Sequence, residues 1–201
     1  MTAEEFLDAV GSEPDLVEWS FGTAGRPEPV TEMYVGRWQM DEQGGSLTGH
    51  RLDPPLTEAE LADFRERFPS ITLPGDLISI LRRWNGIHLW ADLASGRSYD
   101  GLAPLKEWDL ARRVMWGPDA DATLLADRYL AISYDQDGSV FVVLDTSTGK
   151  YFWMDACGAD ESCPIGSTAD ELLAWLWKHR AAPPAPTNVW NDPRTLRAWT
   201  P

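Results

Sequence analysis

Cysteine and histidine are scarce in this chain of 201 residues, which contains two cysteines and three histidines. Two thiols cannot build the disulfide framework of a small secreted protein, so we expect Cys157 and Cys163 to be free thiols. Thiolate and imidazole are the right ligand types for zinc. However, the C-x5-C spacing lacks the short knuckle and the second ligand pair of structural zinc sites. We therefore expect no metal site from these cysteines with His179, and no cofactor.

Basic residues are also in short supply: 17 Lys and Arg stand against 32 Asp and Glu, which gives a net charge of −15. Nucleic-acid binding depends on a basic footprint that neutralises phosphates, so this composition argues against nucleic acid as a direct partner. Residues 1–50 are the most acidic quarter, with 10 acidic and two basic residues. An acidic surface favours a basic partner instead.

Long hydrophobic runs are missing as well. No segment approaches the roughly 18 apolar residues of a membrane span. The opening residues, MTAEEFLDAVGSEPDLVEW, are acidic where a secretory signal has basic residues. We expect a cytoplasmic protein without a membrane partner.

Local signatures of catalysis do not occur in the sequence. The serines lie in no G-x-S-x-G elbow, and phosphate-binding glycine motifs are absent. Asp135, Asp137 and Gly138 lack calcium-loop spacing, because the glycine falls two positions too early, so we expect a hairpin turn there. The sequence predicts no catalytic residue and no enzyme. A small hydrolase or transferase with a site assembled from distant residues stays open as an alternative.

Helix signals concentrate in three places. Thr57 with Glu60 is a capping box, and the apolar spacing behind it predicts a buried face of Leu61, Phe64 and Phe68, with Arg67 outside. Pro74 begins a second helix. Its apolar stripe comprises Leu77, Ile80, Leu81 and Trp84. Asn85-Gly86 is expected to supply the left-handed stop of that helix, and Thr168 opens a closing helix.

Strand signals surround these helices. Residues 32–40 and 46–52 are predicted to form a hairpin, and residues 129–134, 139–145 and 150–155 an antiparallel meander. A short acidic helix is expected over residues 3–10. The predicted class is α+β, a single domain in which N-terminal helices pack on an antiparallel β-sheet and a C-terminal helix closes the fold. We expect three segments. Residues 1–50 form an acidic N-terminal extension packed on the main domain, and residues 51–180 form the main domain. Residues 181–201 form a proline-rich tail that lies along the surface through Trp190 and Trp199.

Tryptophan is abundant, with 11 residues. Trp90, Trp108 and Trp116 fall in or near loops beside acidic residues. Exposed aromatic residues among acids form recognition surfaces, because aromatic anchors dominate binding energy and acids steer a basic partner. The alternative is that these rings simply cover the sheet. The predicted partner contacts are Trp90, Asp92, Asp100, Trp108, Asp135, Asp137 and Asp155.

The segment LTEAELADFRERFPSITLPGDLISILRRWNG resembles the signature of the SMI1/KNR4, or SUKH, superfamily. The matching elements are an amphipathic-helix opening, an L-P-x-D helix start and an N-G ending. They are carried by Leu56, Thr57, Leu61, Phe64, Leu73, Pro74, Asp76, Leu77, Asn85 and Gly86. The resemblance extends over residues 51–180, through YLAISYDQDGSVFVVLDTSTGKYFWMD and TADELLAWLWK.

The resemblance implies a non-catalytic binding domain. In bacteria such proteins are mostly immunity proteins that neutralise a cognate secreted toxin, often a nuclease or another nucleic-acid-targeting enzyme. An acidic protein can plug a basic toxin cleft by competing with its anionic substrate. The expected partner is therefore a basic toxin domain blocked by steric and electrostatic occlusion. The alternative is a SUKH scaffold or regulatory protein that binds several cellular partners.

Overall fold

The computed structural model describes the backbone of residues 1–12, 33–39, 46–92, 100–134, 140–155 and 158–180. Its helices are α1 (Ala3–Gly11), α2 (Glu58–Arg67), α3 (Gly75–Leu81), α4 (Ala111–Trp116) and α5 (Ala169–His179), with a 3-10 turn at Leu105–Glu107. Its strands are β1 (Met33–Gln39), β2 (Ser46–Leu52), β3 (Ile87–Asp92), β4 (Asp100–Leu102), β5 (Asp109–Leu110), β6 (Tyr129–Tyr134), β7 (Val140–Asp145), β8 (Lys150–Asp155) and β9 (Gly158–Gly166). Helices combined with antiparallel sheets confirm the α+β class.

The strands form two antiparallel sheets rather than one. The first has the order β1-β2-β3-β4 and the second the order β5-β6-β7-β8-β9. A hydrogen bond of 2.9 Å from the Ala103 N–H to the Ile132 carbonyl links the end of β4 to β6. The predicted hairpin and meander are confirmed as β1-β2 and β6-β7-β8. The sequence did not indicate β3 and β4, which follow α3 and complete the first sheet.

Capping boxes begin three of the helices. In α2, the Glu60 N–H donates to Thr57 Oγ1 at 3.2 Å, and the Thr57 N–H donates to the Glu60 carboxylate at 2.8 Å. Thr168 and Glu171 form the same reciprocal pair at α5, and a third box opens α1. Each box satisfies backbone N–H groups that have no partner within the helix, which is why these helices begin where they do. The predicted starts of α2 and α5 are confirmed.

The core lies between the helices and the two sheets. The predicted buried faces of α2 and α3 are confirmed, because Leu61, Phe64, Phe68, Leu77, Ile80, Leu81 and Trp84 are all buried. Helix α1 adds Phe6, whose ring centroid lies 6.1 Å from that of Trp84 and 5.9 Å from that of Trp177. Arg67 lies on the exposed face of α2, as predicted, but its side chain also contacts the segment after β4. Its guanidinium donates to the carbonyls of Leu105 and Trp108, both at 3.1 Å.

The Asn85-Gly86 pair does not stop helix α3, contrary to the expectation. The helix ends at Leu81, and its C-cap Arg82 has ordinary helical dihedrals. Asn85 is instead buried. Its amide donates to Glu60 Oε1 at 3.0 Å, and its amide oxygen accepts from the Leu105 N–H at 2.9 Å. Gly86 has φ +155°, and a Cβ there would lie 2.4 Å from the Asp53 carboxylate, so a side chain would collide with it.

Candidate partner-binding surface

Trp108, one of the predicted partner contacts, lies entirely inside the core. Its side chain has no exposed surface, and its indole N–H donates to the Ala103 carbonyl at 2.7 Å. Its ring packs edge-on against Phe64 with 6.4 Å between centroids. A buried ring with a satisfied polar group offers nothing to a partner at the surface. The expected contact role of Trp108 is therefore corrected to a packing role.

The other predicted contacts have side chains outside the described part of the structure. Their backbone positions are known for four: Trp90 and Asp92 lie in β3, Asp100 begins β4 opposite Leu89, and Asp155 ends β8 opposite Val140. Asp135 and Asp137 belong to residues 135–139, which connect β6 to β7 and also lie outside the described residues. These six residues stay predictions.

The described residues include a different surface with the expected chemistry. Trp116, at the end of α4, is 39% exposed, and Leu124 is 56% exposed. Both belong to residues 116–128, here called the acidic loop, which connects α4 to β6 and carries the exposed carboxylates of Asp119 and Asp121. The sequence pattern placed Trp116 beside Asp119 but did not predict either as a contact. It gave no sign that Leu124, rather than its neighbour Leu125, is the more exposed leucine.

Arg112 of helix α4 connects the acidic loop to that helix. Its side chain is 11% exposed, its Nε donates to Asp127 Oδ1 at 2.6 Å, and its guanidinium also donates to the Ala120 carbonyl. The hydrogen bond from Arg112 lowers the pKa of Asp127. One arginine thus ties the middle of the loop and its far end to the helix that precedes it.

Further contacts fasten the acidic loop to the second sheet. The Arg128 carbonyl accepts from both the backbone N–H and the Oγ1 of Thr146, each at 2.9 Å. The Arg128 guanidinium lies 4.8 Å above the ring of Tyr129, and its Nε is 3.5 Å from Asp145. The loop is therefore anchored at both ends while its central carboxylates face solvent. Chemically it offers apolar contact and negative charge, which suits binding rather than catalysis.

A second polar feature, the Arg51-Asp53-His88 cluster, is buried at the junction of β2 and β3. Arg51 Nε lies 2.8 Å from Asp53 Oδ1, and His88 Nε2 lies 2.9 Å from Asp53 Oδ2 and 2.8 Å from Arg51 Nη2. The side chains are 20%, 15% and 10% exposed in the order Arg51, Asp53, His88. Burial raises the pKa of Asp53, but the hydrogen bond from His88 and the charges of His88 and Arg51 outweigh it, so the net pKa is lowered. The cluster joins strands of the first sheet.

The lowered pKa of Asp53 predicts a loss of stability in acid. The carboxylate is ionised more readily in the folded state than its ordinary value of 3.8 implies, so its contribution is present above about pH 4. The contribution disappears as the pH falls through the folded-state pKa. We expect the stability difference between the wild type and Asp53→Asn, measured by urea unfolding, to shrink from pH 5 to pH 3. A difference that stays constant over this range would contradict the prediction.

The described residues contain no group of three or more His, Cys, Asp or Glu that could hold a metal ion. Cys163 is exposed and free, whereas Cys157 lies outside the described residues. None of the helices there has the length and apolar character needed to cross a membrane.

Together, these features describe an α+β domain with capped helices on antiparallel sheets and an acidic, partly apolar loop at the surface. The chain belongs to the SMI1 / KNR4 family (SUKH-1), whose family model matches residues 55–176. The match confirms the resemblance seen in the sequence and spans α2 through most of α5. A comparison with curated proteins found no match. Membership supports a toxin-immunity type of function at the level of the family, and such proteins are generally non-catalytic.

Proposed function

We propose that this protein is an immunity protein that binds and neutralises a cognate secreted bacterial toxin in the cytoplasm. The observation that carries the proposal is membership in the SMI1 / KNR4 family over residues 55–176. The net charge of −15 adds to it, because enzymes that act on nucleic acids present basic clefts to anionic substrates. An acidic protein competes for such a cleft.

The proposed mechanism is steric and electrostatic occlusion of a basic toxin domain. Carboxylates of the immunity protein pair with Arg or Lys of the toxin, which accelerates encounter and fixes the orientation. Apolar anchors then supply most of the free energy of binding. The mechanism needs no cofactor and no catalytic residue. Contacts proposed from the sequence pattern are Trp90, Asp92, Asp100, Asp135, Asp137 and Asp155.

Co-expression tests the proposal. The toxin domain encoded by the neighbouring upstream gene is expressed in a bacterial host with and without this protein, and growth is followed. We expect the toxin domain alone to arrest growth, co-expression to restore it, and the two proteins to co-purify as a complex. A salt series on the purified pair should show slower association as ionic strength rises, because the charges are then screened.

Two results would contradict the proposal. Continued growth arrest with no complex would show that the protein is not the partner of that toxin. Pull-down of several endogenous proteins, with no toxin gene adjacent, would favour the scaffold or regulatory alternative. A variant that weakens the fold without touching the surface, Asn85→Ala, loses two hydrogen bonds of a buried side chain and should rescue less well at raised temperature.

A further inference from the structure

We propose that the acidic loop, residues 116–128, is the surface on which a basic protein partner docks. Trp116 and Leu124 enter apolar depressions of the partner, and Asp119 and Asp121 pair with its Arg or Lys side chains. The inference rests on the proposed immunity function and assigns it a surface that the sequence pattern did not predict as contacts.

Two large apolar side chains of the acidic loop are exposed to solvent. Within the described residues, Trp116 and Leu124 are the large hydrophobic side chains that remain exposed, at 39% and 56%. Tryptophan is among the residues most enriched in binding hot spots. Nearby Val114, Met115, Leu125 and Tyr129 pack against the buried cluster of Ala131, Phe141 and Met154. The two exposed side chains thus project from a segment whose other apolar residues are packed against the core.

The charges around the acidic loop leave negative charge available to a partner. The loop's basic neighbours are already engaged: Arg112 with Asp127, Arg113 with Asp109, and Arg128 with Asp145. Asp119 makes no ion pair within the described part of the chain. The Asp121 carboxylate accepts from the Thr123 N–H at 2.8 Å, and the charge of Arg112 helps to lower its pKa. The carboxylates of Asp119 and Asp121 thus remain available to a partner, and a complementary partner surface would be basic.

Hydrogen bonds within the acidic loop and to its neighbours fix its conformation. Two consecutive turns shape it, closed by the Ala120 N–H to the Gly117 carbonyl and by the Leu124 N–H to the Asp121 carbonyl, both at 3.1 Å. Arg112 fastens the loop to α4 and Thr146 fastens it to the second sheet. The loop therefore loses little conformational freedom when a partner binds. Preorganisation of this kind raises affinity by lowering the entropic cost of association.

Other occupants fit this surface less well. A second copy of the chain carries the same net charge of −15 and would bring like charges together. A membrane surface is anionic at the cytoplasmic leaflet and repels exposed carboxylates. The charges therefore favour a basic protein over both.

The test uses the full chain and the toxin domain of the neighbouring gene, with kinetics measured by surface plasmon resonance. Trp116→Ala combined with Leu124→Ala should weaken binding about 30-fold or more, mainly through faster dissociation. Asp119→Asn combined with Asp121→Asn should slow association about tenfold at low salt and flatten its salt dependence. Asparagine keeps an oxygen acceptor for the Thr123 N–H, so the loop structure is retained.

The matched control changes the same number of charges elsewhere. Asp63→Asn combined with Glu66→Gln, on the exposed face of α2, should leave the dissociation constant within about twofold of the wild type, because these charges belong to another element and exposed charges outside the interface are screened by salt. Thermal unfolding of every variant verifies that the fold is intact. If wild type and loop variants bind the toxin equally, the docking surface is wrong and the immunity function stands. If wild type does not bind at all, both proposals are overturned.

Discussion

Replacing Trp108 by alanine is expected to lower the free energy of unfolding by about 3–5 kcal/mol, the range measured for truncation of buried large aromatic residues. The side chain is completely buried, packs against Phe64 and donates its indole N–H to the Ala103 carbonyl. Alanine would leave a cavity and an acceptor without its donor. Urea unfolding followed by circular dichroism measures the loss, and the melting temperature should fall by about 6–20 °C for a chain of this size.

The control for this prediction is Trp116→Ala, the same substitution at an exposed position eight residues later. We expect it to change the free energy of unfolding by no more than about 0.5–1 kcal/mol, because surface substitutions remove few contacts. The two variants should therefore have different phenotypes. Trp108→Ala should unfold easily, whereas Trp116→Ala should keep its stability and bind the partner weakly. Equal stability of the two variants would contradict the burial described for Trp108.

Trp108 and Trp116 differ in burial, which the sequence pattern did not predict. Both have an aspartate within three residues. Burial separates them, and burial depends on tertiary packing of the 3-10 turn Leu105–Glu107 against α2. The order of residues along the chain does not determine that packing, so the aromatic-acid pattern applies equally to Trp116, which is exposed, and to Trp108, which is a core residue.

Local chemistry explains the parts of the fold that the sequence predicted. Capping boxes are complete within four residues, so Thr57 and Thr168 indicate helix starts without tertiary information. The meander of β6, β7 and β8 is rich in β-branched and aromatic residues with short turns between strands. In contrast, β9 is the sequence GADESCPIG, whose glycines, acids and proline oppose a strand assignment. It pairs with β8 at the edge of the second sheet, where proline is tolerated.

Two residues of the family signature, Asp76 and Gly86, connect elements of the fold. Asp76, in the L-P-x-D start of α3, accepts a hydrogen bond from the Ala169 N–H at 2.7 Å and so caps the beginning of α5. Gly86 leaves room for the Asp53 carboxylate of the buried cluster. A fold held by such a frame can carry different surface loops, which is consistent with a binding family whose members recognise different partners.

Replacing Asn85 by alanine is expected to cost about 2–4 kcal/mol of unfolding free energy, because two partners lose their hydrogen bonds at once. The Leu105 N–H is buried and would have no acceptor, and Glu60 would lose the amide that its Oε1 accepts from. Helix α2 and the 3-10 turn are bridged through this single side chain. Urea unfolding at neutral pH measures the effect, and a loss below about 1 kcal/mol would show that the bridge contributes no more than one ordinary hydrogen bond.

The variant Asn85→Asp separates the two halves of the bridge. Aspartate keeps an oxygen acceptor for the Leu105 N–H but places a second carboxylate within hydrogen-bond reach of Glu60, where like charges repel. We therefore expect Asn85→Asp to be destabilised at neutral pH and to recover part of that stability, relative to wild type, as the pH falls toward 4 and one carboxyl group takes up a proton. Asn85→Ala should recover much less, because alanine adds no charge and removes only the hydrogen bond by which Asn85 helps to lower the pKa of Glu60. If both variants respond alike to pH, the contact between residue 85 and Glu60 does not contribute to stability, and the N-G ending of the signature acts through the Leu105 N–H alone.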